Sequence, residues 1–153
     1  MSSVFIDPSA IVFVSISYET NNAILDAIQS RMKSLSAAIE APHLVVDSAR
    51  HTGGQFSAKE VDTKLSALTA RSYLVAGAPL EGALSYAVLS LLLNGLDVFV
   101  PVDQVVALEA AHTHTCLQRL QNSGATLITF KQAILELSIV GGGKKLTSLL
   151  RNG

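Results

Sequence analysis

SYLVAGAPLEGALSYAVLSLLLNGLDVFVPV, residues 72–102, is the stretch that decides the fold. Residues 72–76 form a short apolar run that ends at Gly77. Residues 81–93 are long and apolar enough for a buried helix, closed by Asn94 and Gly95. Residues 97–102 are again short, apolar and rich in valine, as a strand buried on both faces is. The stretch therefore reads strand, helix, strand, the unit that builds a parallel sheet.

The same alternation continues on both sides. Upstream, AIVFVSI at residues 10–16 reads as a first, interior strand. A helix is expected over 21–40, where Ile24, Leu25, Ile28, Met32, Leu35 and Ile39 recur at helical spacing; Asn21 or Asn22 can cap its start and Pro42 follows its end. Residues 43–46 make a second strand, residues 50–57 a loop with Gly53 and Gly54, and residues 58–69 a weaker helix carrying Val61, Leu65 and Leu68 on one face. Downstream, a helix is expected over 108–123 with Gly124 as its stop, then a strand over 125–129, a short helix over 130–137, glycines at 141–143 and a last helix over 144–150. The expected fold is an α/β three-layer sandwich around a mostly parallel sheet of five or six strands, Rossmann-like, with a flavodoxin-like local order and the first strand central. One domain over residues 1–153 is expected from the length. In such sheets ligands bind beyond the carboxyl ends of the strands.

Composition narrows the function classes. Hydrophobic residues make up 49% of the chain and charged residues 15%, which suits a sheet covered on both faces or a surface buried against another subunit. With 11 basic and 12 acidic residues there is no sign of a dedicated nucleic-acid surface. Cys116 is the one cysteine, so neither an internal disulfide nor a cysteine-rich zinc site can form, and a reducing compartment is expected. Residues 1–7 carry no basic region followed by an apolar run, and the longest apolar runs fall far short of the ~20 residues that cross a bilayer. The expectation is an intracellular protein, cytoplasmic in the first instance with an organelle left open, that neither spans nor binds a membrane.

Several landmarks in residues 72–137 fall in a familiar order: Gly77, Gly95, Asp103, Gly124 with Ala125, and Thr129. With the tail GKKLTSLLR at residues 143–151, they resemble the isochorismatase-like cysteine hydrolases, in particular the eukaryotic isochorismatase-domain branch. The resemblance implies that family's hydrolase fold. It also implies a cysteine nucleophile at a helix start, with an aspartate and a lysine that lower its pKa and move the proton, and backbone N–H groups that hold the oxyanion. Counted from Gly77, the nucleophile slot falls on Ala83, and a methyl group cannot attack. The acid slot falls on Ser15 or Ile16, with Glu19 the nearest carboxylate downstream. The lysine slot falls on Lys59, which can equally be an exposed helix-start lysine beside Glu60 and Asp62. The family's cis peptide falls on Ala78–Pro79, and a cis bond is expected there because proline is the residue at which such bonds occur. The expected ligand cleft comprises Lys59, Gly77, Ala78, Pro79, Gly82, Ala83 and Asp103.

Other chemistry weighs less. Asp103 can orient a ligand or accept backbone N–H bonds in the turn that follows it. His112 and Cys116 share a helix face while His114 points elsewhere, and two soft ligands make a poor metal site; no metal and no cofactor are expected. Cys116 sits too far along the chain to replace the missing nucleophile. Ser85 and Tyr86 follow the Gly77 turn, but a serine nucleophile needs a base in reach, and only His51 lies in a suitable strand-end loop. Gly141 to Lys145 fails the phosphate-loop pattern, with Ser138 where a glycine is needed and Lys145 where a hydroxyl is needed. Three functions stay open. The first is a catalytically inactive family member acting as a binding or scaffold subunit, as a homo-oligomer or within a larger assembly. The second is a hydrolase of a small amide, ester or enol ether that uses Lys59 or Asp103 as acid–base groups. The third is a sensor of a small carboxylate held by N–H groups near Gly77, which Glu81 would oppose.

Overall fold

The computed structural model describes residues 6–17, 23–47, 57–67 and 69–141. Within them the chain runs β1 (Ile11–Ser17), α1 (Ala23–Ala38), β2 (His43–Asp47), α2 (Ala58–Leu65), β3 (Ser72–Gly77), α3 (Ala83–Leu93), β4 (Asp97–Pro101), α4 (Thr113–Asn122), β5 (Thr126–Ile128) and α5 (Phe130–Gly141), with short 3-10 turns at Val102–Gln104 and Ala110–His112. The strands form one parallel sheet in the order β2-β1-β3-β4-β5. The flavodoxin-like order is as expected. The middle position, however, belongs to β3, and β1 lies between β2 and β3. Both are interior strands: β3 is buried along its whole length and β1 at every residue but Ser17, while the edge strand β2 is partly exposed.

The pleat assigns the two faces. In β1, Val12, Val14 and Ile16 point to one side, where they pack with Val61 and Leu65 of α2, Leu84, Val88 and Leu91 of α3, and Leu120 of α4. Ile11 and Phe13 point to the other side, onto Ile28, Met32 and Leu35 of α1 and Ile134 and Leu137 of α5. Helices thus cover both faces of the sheet. Each fully buried leucine contributes roughly 1.5–3 kcal/mol of transfer free energy. Among the described residues no helix is long and apolar enough to cross a membrane.

Several helix bounds differ from expectation, among them that of α2, which stops at Leu65. The helix expected over 108–123 starts only at Thr113. The N–H groups of Leu108 and Glu109 are taken by the Glu81 carboxylate, at 2.7 and 2.9 Å, which holds residues 108–109 in the loop. Similarly, α3 begins at Ala83 rather than 81, because the Gly82 and Leu84 N–H groups both turn back to Pro79 O. α5 runs past Leu137 to Gly141. The expected cap at Asn21 or Asn22, the loop with His51, Gly53 and Gly54, Glu19, and the tail at 143–151 lie outside the described residues.

Candidate functional site

The turn between β3 and α3 carries the positions expected to do chemistry. Gly77 sits at φ +117°, and a Cβ there would fall on the Ile16 carbonyl, so no other residue fits without moving β1. The Ala78–Pro79 bond is cis. Ala78 N–H donates to Ile16 O at 3.0 Å and Leu80 N–H to Val106 O at 2.9 Å; Val106 N–H returns to Gly77 O at 2.9 Å. The turn is thereby stitched to β1 on one side and to the segment after β4 on the other. Gly82 and Leu84 N–H groups donate to Pro79 O at 3.1 and 3.2 Å. The N–H groups of Ala78, Leu80, Gly82 and Leu84 are thus all bonded to backbone carbonyls.

Ala83 is the first residue of α3, and its exposure is 0%. Its methyl packs in the cluster with Leu80, Leu84 and Ala87. The Ser85 hydroxyl donates to the Leu80 carbonyl, so its proton points to the backbone and not to a base. Ser15 and Ile16 are both buried in β1, and they face opposite sides of the sheet. The Ser15 hydroxyl shares a 2.7 Å hydrogen bond with His43 Nε2. Burial first, and then the charge of Lys33, hold the His43 pKa below its ordinary value, so the ring is neutral at neutral pH. This pair escaped the sequence reading. Its only signal was register, since His43 starts the strand that pairs with β1 at Phe13, two residues before Ser15.

Lys59 lies exposed on α2, where its backbone carbonyl accepts from Thr63 Oγ1 at 2.8 Å. Asp103 is exposed in the 3-10 turn after β4, and its Oδ1 accepts from Phe130 N–H at 2.9 Å. It does cap backbone, though at the start of α5 and not in the turn that follows it. Of the residues expected to form the cleft, Gly77 to Ala83 thus share one turn, Lys59 lies on α2, and Asp103 caps the start of α5.

Glu81 is the one charged group in the turn. Besides Leu108 and Glu109 N–H it binds His112 Nδ1 at 3.0 Å, and His112 Nε2 reaches Glu109 Oε2 at 3.2 Å. Partial burial pushes the Glu81 carboxyl up, but N–H groups of Glu109, Leu108 and its own backbone, with His112, outweigh burial and hold it below the usual range. Cys116 is half-buried on α4; burial first, and then the Glu81 charge, push its thiol up against the pull of Arg119. A thiol shifted upward is a poor nucleophile at neutral pH. Among the described residues, no three His, Cys, Asp or Glu side chains group as a metal site.

A second place lies beyond the carboxyl ends of β4 and β5. Arg31, Asp103, Gln104, Thr129, Phe130 and Lys131 line a cavity of about 400 Å³ there. Among them only Asp103, as a candidate site residue, and Thr129, as a landmark of the resemblance, stood out in the sequence.

Comparison with known proteins follows this geometry. Residues 27–132 match the isochorismatase domain, well over half of the chain. No curated protein sequence matches it. Among solved structures, the MAR1 ribonuclease from Caenorhabditis elegans is similar at 16% identity and a TM-score of 0.74, over 97% of this chain and 93% of that one. The YcaC gene product from Escherichia coli, described as an octameric hydrolase of unknown specificity, is similar at 14% identity and 0.67, over 99% and 97%. An isochorismatase-like hydrolase from Alkaliphilus metalliredigens is similar at 11% identity and 0.59, over 85% and 97%.

Proposed function

The chain belongs to the isochorismatase family, and we propose that within this hydrolase family it is a catalytically inactive member that acts as a binding or scaffold subunit of an oligomer. One observation carries this reading. The residue at the start of α3, in the slot that the resemblance gives to the nucleophile, is a fully buried alanine. The rest agrees. Neither acid position holds a carboxylate, Lys59 stands exposed on α2, and the N–H groups of Ala78, Leu80, Gly82 and Leu84 are bonded to backbone carbonyls. A hydrolase using Lys59 or Asp103 as its acid–base group is disfavoured, because Lys59 stands exposed on α2 and the Asp103 carboxylate accepts from Phe130 N–H.

Self-association is favoured by Leu135 and Ile139, 50% and 64% exposed one turn apart on α5, and by the low charge content. The Escherichia coli neighbour is octameric by its description. The ribonuclease activity in the nematode neighbour's name is disfavoured for this chain, since its basic residues do not outnumber its acidic ones.

The test is turnover. Purified chain is incubated with small amide, ester and isochorismate-type substrates. No rate above buffer is expected; turnover that Lys59→Ala abolishes would overturn the inactive reading. Light scattering on the same sample should give a multiple of the chain mass, and a monomer would overturn the oligomeric part.

A further inference from the structure

We infer that the cavity beyond β4 and β5 is a binding site for a small monocarboxylate with an apolar body. The strongest indication is a buried donor that has no acceptor among the described residues. Gln104 is only 5% exposed, and its Oε1 accepts from Arg31 Nη1 at 2.8 Å. Arg31 is donor only, so this bond fixes which end of the amide faces it and leaves Nε2 on the other side. Among the described residues nothing accepts from that Nε2. A buried donor without a partner costs about 1–3 kcal/mol, and such groups in a native protein call for an acceptor.

The rest of the lining says what the acceptor is. The Arg31 guanidinium has four N–H donors beyond the one given to Gln104. Lys131 enters from the first turn of α5, and no described side chain pairs with it. The helix end itself is already capped and contributes nothing: Thr129 Oγ1 accepts from Gln132 N–H at 3.1 Å, Gln132 Oε1 accepts from Thr129 N–H at 2.8 Å, and Asp103 takes Phe130 N–H. Two cations against the Asp103 carboxylate leave a single positive charge, which a monoanion matches and a phosphate dianion does not. Phe130 supplies an apolar wall. Planar recognition by a guanidinium fork suits a carboxylate. The site is independent of whether the turn at Ala83 hydrolyses anything.

The experiment is a calorimetric titration of the full chain with benzoate at neutral pH, beside benzamide and inorganic phosphate. Saturable benzoate binding is expected with a Kd of about 1 mM, the range open to one anchored small anion. Arg31→Gln and Lys131→Gln should each weaken it about tenfold, the worth of one charge-assisted hydrogen bond. Lys33→Gln, on the same helix as Arg31, should leave it unchanged. Benzamide should not bind, and phosphate should bind more weakly than benzoate. Absence of saturation with benzoate would overturn the site. So would benzamide binding as tightly as benzoate, or affinity unmoved by both Arg31→Gln and Lys131→Gln. Phosphate binding as tightly as benzoate would overturn the assignment to a monocarboxylate.

Discussion

The turn from Gly77 to Leu84 and the cavity around Gln104 both lie beyond the carboxyl ends of strands, where α/β sheets take ligands, yet they have opposite polar economies. In the turn, the N–H groups of Ala78, Leu80, Gly82 and Leu84 each have a backbone carbonyl, and Ala83 closes the space with a methyl. In the cavity, a buried amide nitrogen has no acceptor among the described residues, and the cations Arg31 and Lys131 share the lining with it. A family's site position can thus become part of the core, while the capacity to hold a small molecule sits elsewhere on the same sheet. What separates the two is not exposure alone but whether polar groups are satisfied from within.

The largest effect should come from breaking the turn at its tightest point. Gly77→Ala adds a Cβ against the Ile16 carbonyl at a positive φ. Strain and overpacking together should cost roughly 3 kcal/mol or more. Urea unfolding checks this, and a loss under about 1 kcal/mol would mean that the turn adapts and is not closed.

Next is the tie between the turn and the segment before α4. Glu81→Ala removes the acceptor of Leu108 and Glu109 N–H and the partner of His112, and should cost about 2 kcal/mol. Because the folded-state pKa of Glu81 is lowered, its stabilisation is fully present above about pH 4.3 and is lost as pH falls through the folded value. The difference between wild type and variant should therefore shrink on acidification. A difference that stays constant from neutral pH down to about pH 3 would contradict the assigned role.

A smaller effect is expected at His43. Its folded-state pKa is also lowered, but for a histidine this means that the unfolded chain takes the proton first. Stability should be highest above about pH 6.5 and decline below it, and His43→Gln should flatten that decline. Unfolding free energies at several pH values check this, and an unchanged slope in the variant would show that His43 does not titrate as argued.

The sequence made these regions unequally legible. The strand–helix–strand reading of residues 72–102 succeeded because both strands and the helix between them are buried, so hydrophobic pattern alone defined them. The start of α4 was illegible because it depends on Glu81, a side chain 27 residues before Leu108. The cavity was nearly invisible for the same reason. Arg31 and Lys131 read as ordinary surface cations on two helices far apart in the chain, and only the packing of α1 and α5 on one face of the sheet brings them together. Ala83 was legible only through the family resemblance; no local rule makes an alanine at a helix start noteworthy.

The closure of the turn is tested most directly by giving it the missing atom. Ala83→Cys protein, shown to be folded by circular dichroism, is incubated with a small activated ester, digested and read peptide by peptide by mass spectrometry beside wild type. Because position 83 is fully buried and the one carboxylate of the turn, Glu81, is bonded to Leu108 and Glu109 N–H and to His112, no acyl adduct on residue 83 and no ester turnover above wild type are expected. An adduct on that cysteine in the folded protein would contradict this expectation and make this turn a working site one atom short of its nucleophile.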